Sequence, residues 1–196
     1  SDEEFPAEKI SLLLTYDLDF GLELYSCYLK EKPYIAIRVS YHLPKKAVEN
    51  YFNEFLQLLY TLPDGSEICD DESDLTFHES LLYRFMHCPL TKCDDILLFL
   101  KLKKDTLTEN EIKTALSTIW TTPDKIKAVD VLKDFMLHGS YWVAHAAIQA
   151  IFDTNCPELN ETYKTLYERY KTDDGCILNN LKIAFESNHL PFPPEQ

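Results

Sequence analysis

Between residues 34 and 40 apolar side chains fall at every second position: Ile35, Ile37 and Val39 alternate with Tyr34, Ala36, Arg38 and Ser40. That period predicts a strand with one buried face. The preceding stretches ISLLLTYDLDF and GLELYSCYL read as two further strands, and the charged KEKP segment places a hairpin at residues 30–33. A small N-terminal antiparallel strand element is therefore expected up to about residue 43. After Pro44 the period changes, because Val48, Tyr51, Phe52, Phe55, Leu56, Leu58 and Leu59 follow at helical spacing. This helix should run to about Tyr60 and end at the turn residues Pro63-Asp64-Gly65. Leu81, Leu82, Phe85 and Met86 predict a short amphipathic helix that stops near Pro89. DDILLFLKLKK carries two patterns: Leu98, Leu100 and Leu102 alternate as in a strand, while Asp94 and Asp95 resemble a helix start, and helix is favoured. Thr108 with Glu111 has the form of a capping box opening a helix through Ile112, Leu116, Ile119 and Trp120, and Pro123 begins the next helix.

The last third of the chain aligns on itself at a shift of 34 residues. Val129 falls on Tyr163, Leu132 on Leu166, Met136 on Tyr170, Val143 on Ile177, Ala147 on Leu181, Ala150 on Ala184 and Ile151 on Phe185. Every matched position is apolar or aromatic, and self-similarity at such a period predicts stacked helix pairs. The first pair would comprise residues 124–137 and 141–153, with His138-Gly139-Ser140 as the corner, glycine supplying a positive-φ stop and serine an N-cap. The second pair would be 158–171 and 176–187, joined by a TDDG turn.

The run AVDVLKDFML, the corner HGSYW and the run VAHAAIQAI resemble a HEAT-type repeat, whose second helix carries V-R-x-A-A-x-x-A-L. Val143, Ala146, Ala147, Ala150 and Ile151 sit on that pattern, and Ala144 stands where the family usually has Arg. The resemblance covers residues 124–153 and, less closely, 157–187. It implies stacked helix pairs that expose a broad groove to a partner. The small residues at 146, 147 and 150 would let neighbouring helices approach closely.

Charge narrows the partners. The 33 acids against 19 lysines and arginines give a net charge of −14, and the only arginines are Arg38, Arg84 and Arg169. Such a field disfavours nucleic acid and anionic membranes and steers basic partners inward. From Asp64 to Glu79 there are seven acids without a lysine or arginine. The run reads as a solvated loop leading to an N-cap, or as an acidic docking strip, and it lacks the glycine and spacing of a calcium-binding loop. The longest apolar run, ILLFL, is too short to span a bilayer. SDEEFPAEK has neither the basic nor the apolar region of a signal peptide, and the six cysteines are too dispersed for a secreted disulfide scaffold. A reduced, cytoplasmic setting is expected.

Reactive chemistry has two candidate sources. Cys69, His78, His87, Cys88 and Cys93 lie within 25 residues and form the best zinc candidate, though C-x₄-C spacing departs from the tight pairs of structural zinc sites. A cysteine activated by a histidine in residues 69–93 is the enzymatic alternative, which stoichiometric zinc or one fast-alkylating thiol would reveal. With only four glycines there is little room for a phosphate-cradling loop. His138 and His145 read as corner and groove residues rather than catalytic ones.

The resulting expectation is a mainly α protein, α+β overall. It has an N-terminal strand and helix element over 1–62, an acidic loop with a short helix over 63–93, and HEAT-like helix pairs over 94–190. Its expected role is non-catalytic: an acidic helical-repeat surface holds a basic protein or peptide, as an adaptor or a toxin-neutralising immunity protein would, without a cofactor. Tyr141, Trp142, His145, Glu158, Glu161, Tyr167 and Glu168 are the candidate contacts, with Tyr163 and Tyr170 as further aromatic anchors.

Overall fold

A computed structural model describes residues 4–62, 75–172 and 175–193. Among these residues the chain is mainly helical, with twelve α-helices and three short 3-10 turns, and it divides into two compact units at Leu90 and Thr91. No described helix is long and apolar enough to cross a membrane.

The first unit contains α1 (Glu4–Tyr16), α2 (Leu18–Glu31), α3 (Pro33–Val39), α4 (Lys45–Asn50), α5 (Phe52–Thr61) and α6 (Phe77–Met86). The expected N-terminal strand element is not formed. ISLLLTYDLDF and GLELYSCYL instead build α1 and α2, whose buried positions Ala7, Ile10, Leu14 and Gly21, Tyr25, Leu29 recur three or four residues apart. Asp17, between the two helices, accepts a hydrogen bond from the Phe20 N–H at 3.3 Å and so caps α2. The 30–33 hairpin is replaced by a helix-to-helix junction at Lys32, with Pro33 in the first turn of α3, where its missing N–H costs nothing. Ile35, Ala36, Ile37 and Val39 are all buried because α3 packs against α1, α2 and α6. The Tyr25 hydroxyl, fully buried, donates to the Ala36 carbonyl at 3.0 Å and fastens α2 to α3.

The helix expected from Pro44 to Tyr60 is broken at Tyr51 into α4 and α5. A capping box also opens α6: the Thr76 hydroxyl accepts from the Glu79 N–H at 3.2 Å, and the Glu79 carboxylate accepts from the Thr76 N–H at 2.8 Å. Glu79 is thereby buried rather than part of a solvated acidic strip. The other acids of that run lie outside the described residues.

The second unit contains α7 (Cys93–Lys103), α8 (Glu109–Trp120), α9 (Val129–His138), α10 (Tyr141–Gln149), α11 (Asn160–Tyr170) and α12 (Cys176–Ser187). Residues 93–103 are helical because Ile96, Phe99 and Leu100 go inward together, leaving Leu98 and Leu102 on the outside. The capping box at Thr108 and Glu111 forms as expected. Consecutive helices pair, α7 with α8, α9 with α10 and α11 with α12. The pairs associate in two layers: α10 touches α8 on one side and α12 on the other, while α9 touches α11. Of the positions matched at a 34-residue shift, Leu132/Leu166, Val143/Ile177, Ala147/Leu181, Ala150/Ala184 and Ile151/Phe185 are buried at both members.

Each helix pair is closed by a polar contact between a residue at or just before its first helix and one shortly after its second. The Cys93 N–H donates to the Asp124 carboxylate at 2.9 Å, Lys125 Nζ to the Asp153 carboxylate at 2.6 Å, and the Cys156 N–H to the Asn188 side-chain oxygen at 2.7 Å. At the corner before α10, Gly139 has φ −70°, so it does not supply the expected positive-φ stop. It is glycine because a Cβ there would stand 2.5 Å from the Phe135 carbonyl oxygen and 2.7 Å from Val143 Cγ1.

Candidate functional site

Helix α10 runs through the centre of its layer. The Ser140 hydroxyl accepts from the Val143 N–H at 3.3 Å and starts it. Val143, Ala144, Ala146 and Ala147 are buried, and their small side chains let α8, α9 and α12 close around it. The face left over carries Tyr141, Trp142 and His145. Trp142 is 51% exposed, although an indole is among the largest apolar surfaces a chain can bury. Its ring does not stand alone. Tyr141 meets it edge-on, with centroids 5.1 Å apart and planes at 89°, and Tyr141 meets Tyr170 of α11 in the same way at 5.7 Å. His145 stands edge-on to Trp142 at 5.9 Å. The Arg169 guanidinium is 5.9 Å from the centre of the Tyr170 ring and donates to the Leu137 carbonyl at 3.0 Å. Rings held edge-to-face in this way have lost most of their rotational freedom before any partner arrives.

The second tryptophan of the chain, Trp120, ends α8 and is 40% exposed. In the sequence it is the last of the apolar positions that mark this helix. Its Nε1–H donates to the Asp153 carboxylate at 3.3 Å and its ring meets Phe152 edge-on at 6.3 Å. Both tryptophans thus lie on the helices of one layer, near opposite ends of α10.

The expected acidic contacts lie elsewhere. Glu161 and Glu168 point out from α11, each paired with a lysine three residues on: Lys164 at 2.7 Å and Lys171 at 2.8 Å. Glu158, in the turn before α11, accepts from the Cys156 thiol at 3.3 Å. Tyr167 and Tyr163 are not surface anchors. Tyr163 is fully buried, and Tyr167 packs against Phe185 and Phe192 because the inward face of α11 needs large residues to fill the space against α12. The structure therefore brings Tyr141, Trp142, His145 and Tyr170 together and leaves Glu158, Glu161, Tyr167 and Glu168 apart from them.

Next to the aromatic cluster in the chain, the start of α8, the end of α9 and the corner before α10 line an open cleft of about 340 Å³. Ile112, Phe135 and Val143 form its apolar wall, and Glu109, Asp134 and His138 its polar one. Neither acid stands out along the chain, since the two are 25 residues apart and only the packing of α8 on α10 and α10 on α9 joins them.

The thiols and imidazoles of the zinc candidate do not assemble within the described residues. Cys69 lies outside them. His78 and Cys88 are buried in the first unit, His87 ends α6 on the outside, and Cys93 begins α7 in the second unit. Among the described residues no group of three or more histidine, cysteine, aspartate or glutamate side chains could hold a metal ion. Burial, reinforced by Asp124 and Asp94, pushes the Cys93 thiol up to about 12, and burial with the Glu158 contact pushes Cys156 up to about 11. A cysteine nucleophile needs a shift in the opposite direction.

Burial pulls the His145 imidazole below its ordinary value of 6.5, so it is uncharged at neutral pH. The unfolded chain then takes up its proton first, and stability rises with pH across the window between the two values. The contribution is complete above about 6.5 and is lost as the pH falls below it. Taking the protein from about pH 7.5 to about pH 5.5 is expected to lower the midpoint of the tryptophan-detected unfolding transition, which reports the second unit alone. His145→Gln should flatten that dependence, and an unchanged slope in the variant would refute the assignment. No protein-family model, curated protein or solved structure matches the chain.

Proposed function

We propose that this protein is a non-catalytic binding module whose second unit is a HEAT-like array of helix pairs holding a basic protein or peptide. The contact surface is the outward face of the α8, α10 and α12 layer, and Tyr141, Trp142 and His145 are its anchors. One observation carries the reading: a half-exposed tryptophan flanked by two rings, Tyr141 and His145, the first of which is itself braced by Tyr170, on a helix whose other faces are packed with small apolar residues. Tryptophan and tyrosine are the residues most often found at the energetic centre of protein interfaces, and pre-ordered rings bind at a lower entropic cost. The net charge of −14 favours a basic partner and fast encounter with it. Glu158, Glu161 and Glu168 contribute to that field more than to contacts, since Glu161 and Glu168 already have lysine neighbours. An adaptor or a toxin-neutralising immunity protein would have this combination of size, charge and surface.

The test is affinity capture from the native host with the wild-type chain and with Trp142→Ala. A partner of high isoelectric point is expected, and the substitution should weaken its binding by about 30-fold, the loss typical of a central interface tryptophan, while helicity by circular dichroism stays unchanged. A captured partner that binds Trp142→Ala as well as wild type would overturn the reading.

A further inference from the structure

We infer that the cleft between the start of α8, the end of α9 and the corner before α10 receives one lysine or arginine side chain of the basic partner. The inference rests on the partner-binding reading of the α10 face and specifies where the partner's charge is seated. Two carboxylates, Glu109 and Asp134, line the cleft, and no ion pair engages either of them among the described residues. No lysine or arginine contributes to its walls. A long basic side chain has an apolar stem and a charged head. Ile112, Phe135 and Val143 match the stem, and the two carboxylates match the head. At about 340 Å³ the cleft lies at the small end of ligand sites, which suits a single side chain better than a free metabolite. The corner that lines it, Gly139 and Ser140, runs directly into Tyr141 and Trp142. A polypeptide lying on the ring cluster would thus reach the cleft with its next residues.

A hexa-arginine peptide serves as the probe, titrated into the full chain at low salt and followed by calorimetry. The double variant Glu109→Gln/Asp134→Asn is compared with Glu161→Gln/Glu168→Gln, which removes the same charge from α11. The cleft variant is expected to bind about tenfold more weakly, as loss of charged contacts to one cation implies, and the α11 variant to stay within about twofold of wild type. Equal losses in the two variants, or none in either, would overturn the cleft while the peptide's binding to wild type still supports a basic partner. If wild type itself fails to bind the peptide, both the cleft and the basic-partner reading fall, whereas the effect of Trp142→Ala on a captured partner tests the ring surface separately.

Discussion

Gly21→Ala is expected to destabilise the first unit by about 2–3 kcal/mol. On an open helix surface the same change would do the reverse, because alanine is favoured over glycine in a helix interior by about 1 kcal/mol. The sign is set by what lies opposite. A Cβ on Gly21 would stand 2.7 Å from the Leu14 nitrogen and 2.8 Å from the Leu13 carbonyl carbon, both backbone atoms of α1. A side chain can rotate away from such a contact, but a helix backbone has to move as a body. Separating α1 from α2 would also loosen Ile10, Leu14 and Tyr25, which are buried at or near the contact between these helices and their neighbour α3. Urea unfolding followed by far-UV circular dichroism measures the change, and a variant as stable as wild type or more so would show that α1 and α2 do not meet at Gly21.

The same region shows why alternation along the N-terminal sequence points to strands where helices form. Alternation identifies a strand only if one face of the segment meets solvent. In α3 no alternating face meets solvent: Ile35, Ala36, Ile37 and Val39 are all inside, and of residues 34–39 only Tyr34 and Arg38, four residues apart, are left outside the buried set, so the apolar alternation does not report the period. The β-branched residues then weigh toward strand, while packing against three helices decides for helix. In α1 and α2 the helical spacing of Ile10 and Leu14, or of Tyr25 and Leu29, was present but overlaid by exposed apolar side chains such as Leu12, Tyr16, Leu18 and Phe20. The second unit was easier to read because its polar residues mark the outward faces. Leu132, Ala147, Leu166 and Leu181 are buried with charged or polar residues between them, and Thr108 and Ser140 announce the helix starts.

The candidate surface was legible to the same extent. Tyr141, Trp142 and His145 share one turn of α10, so sequence proximity alone placed them together. Trp120 was missed because the last residue of an amphipathic helix can fall to either side, and here Asp153 and Lys125 hold it at the surface. Glu109 and Asp134 were missed for a different reason, since only the stacking of three helices defines the cleft they line.

Asn188→Ala is expected to lower the stability of the second unit by about 2–3 kcal/mol, the cost of a buried amide contact whose loss strands its partners. Asn188 is buried just after α12, where its side-chain oxygen accepts from the Cys156 N–H at 2.7 Å and its Nδ2 donates to the Ala184 carbonyl at 2.8 Å. The first contact joins residues 32 apart and closes the last helix pair. In alanine's place the Cys156 N–H, inside the protein, would have no acceptor, and water could not readily reach it. Asn188→Asp separates the two roles. It keeps the acceptor for Cys156, as Asp124 does for Cys93 in the first pair, where this backbone hydrogen bond is the leading cause of the lowered Asp124 pKa. It loses the donor to Ala184, so an intermediate loss of about 1 kcal/mol is expected. Tryptophan fluorescence during urea unfolding reads the global effect, because Trp120 and Trp142 both report this unit. Amide hydrogen exchange at Cys156 reads the local one: protection should drop sharply in the alanine variant and persist in the aspartate variant. Equal protection in both would mean that the last helix pair is held shut by the packing of Ala184, Phe185 and Leu181 on α11, with the Asn188 contact following from that packing instead of securing it.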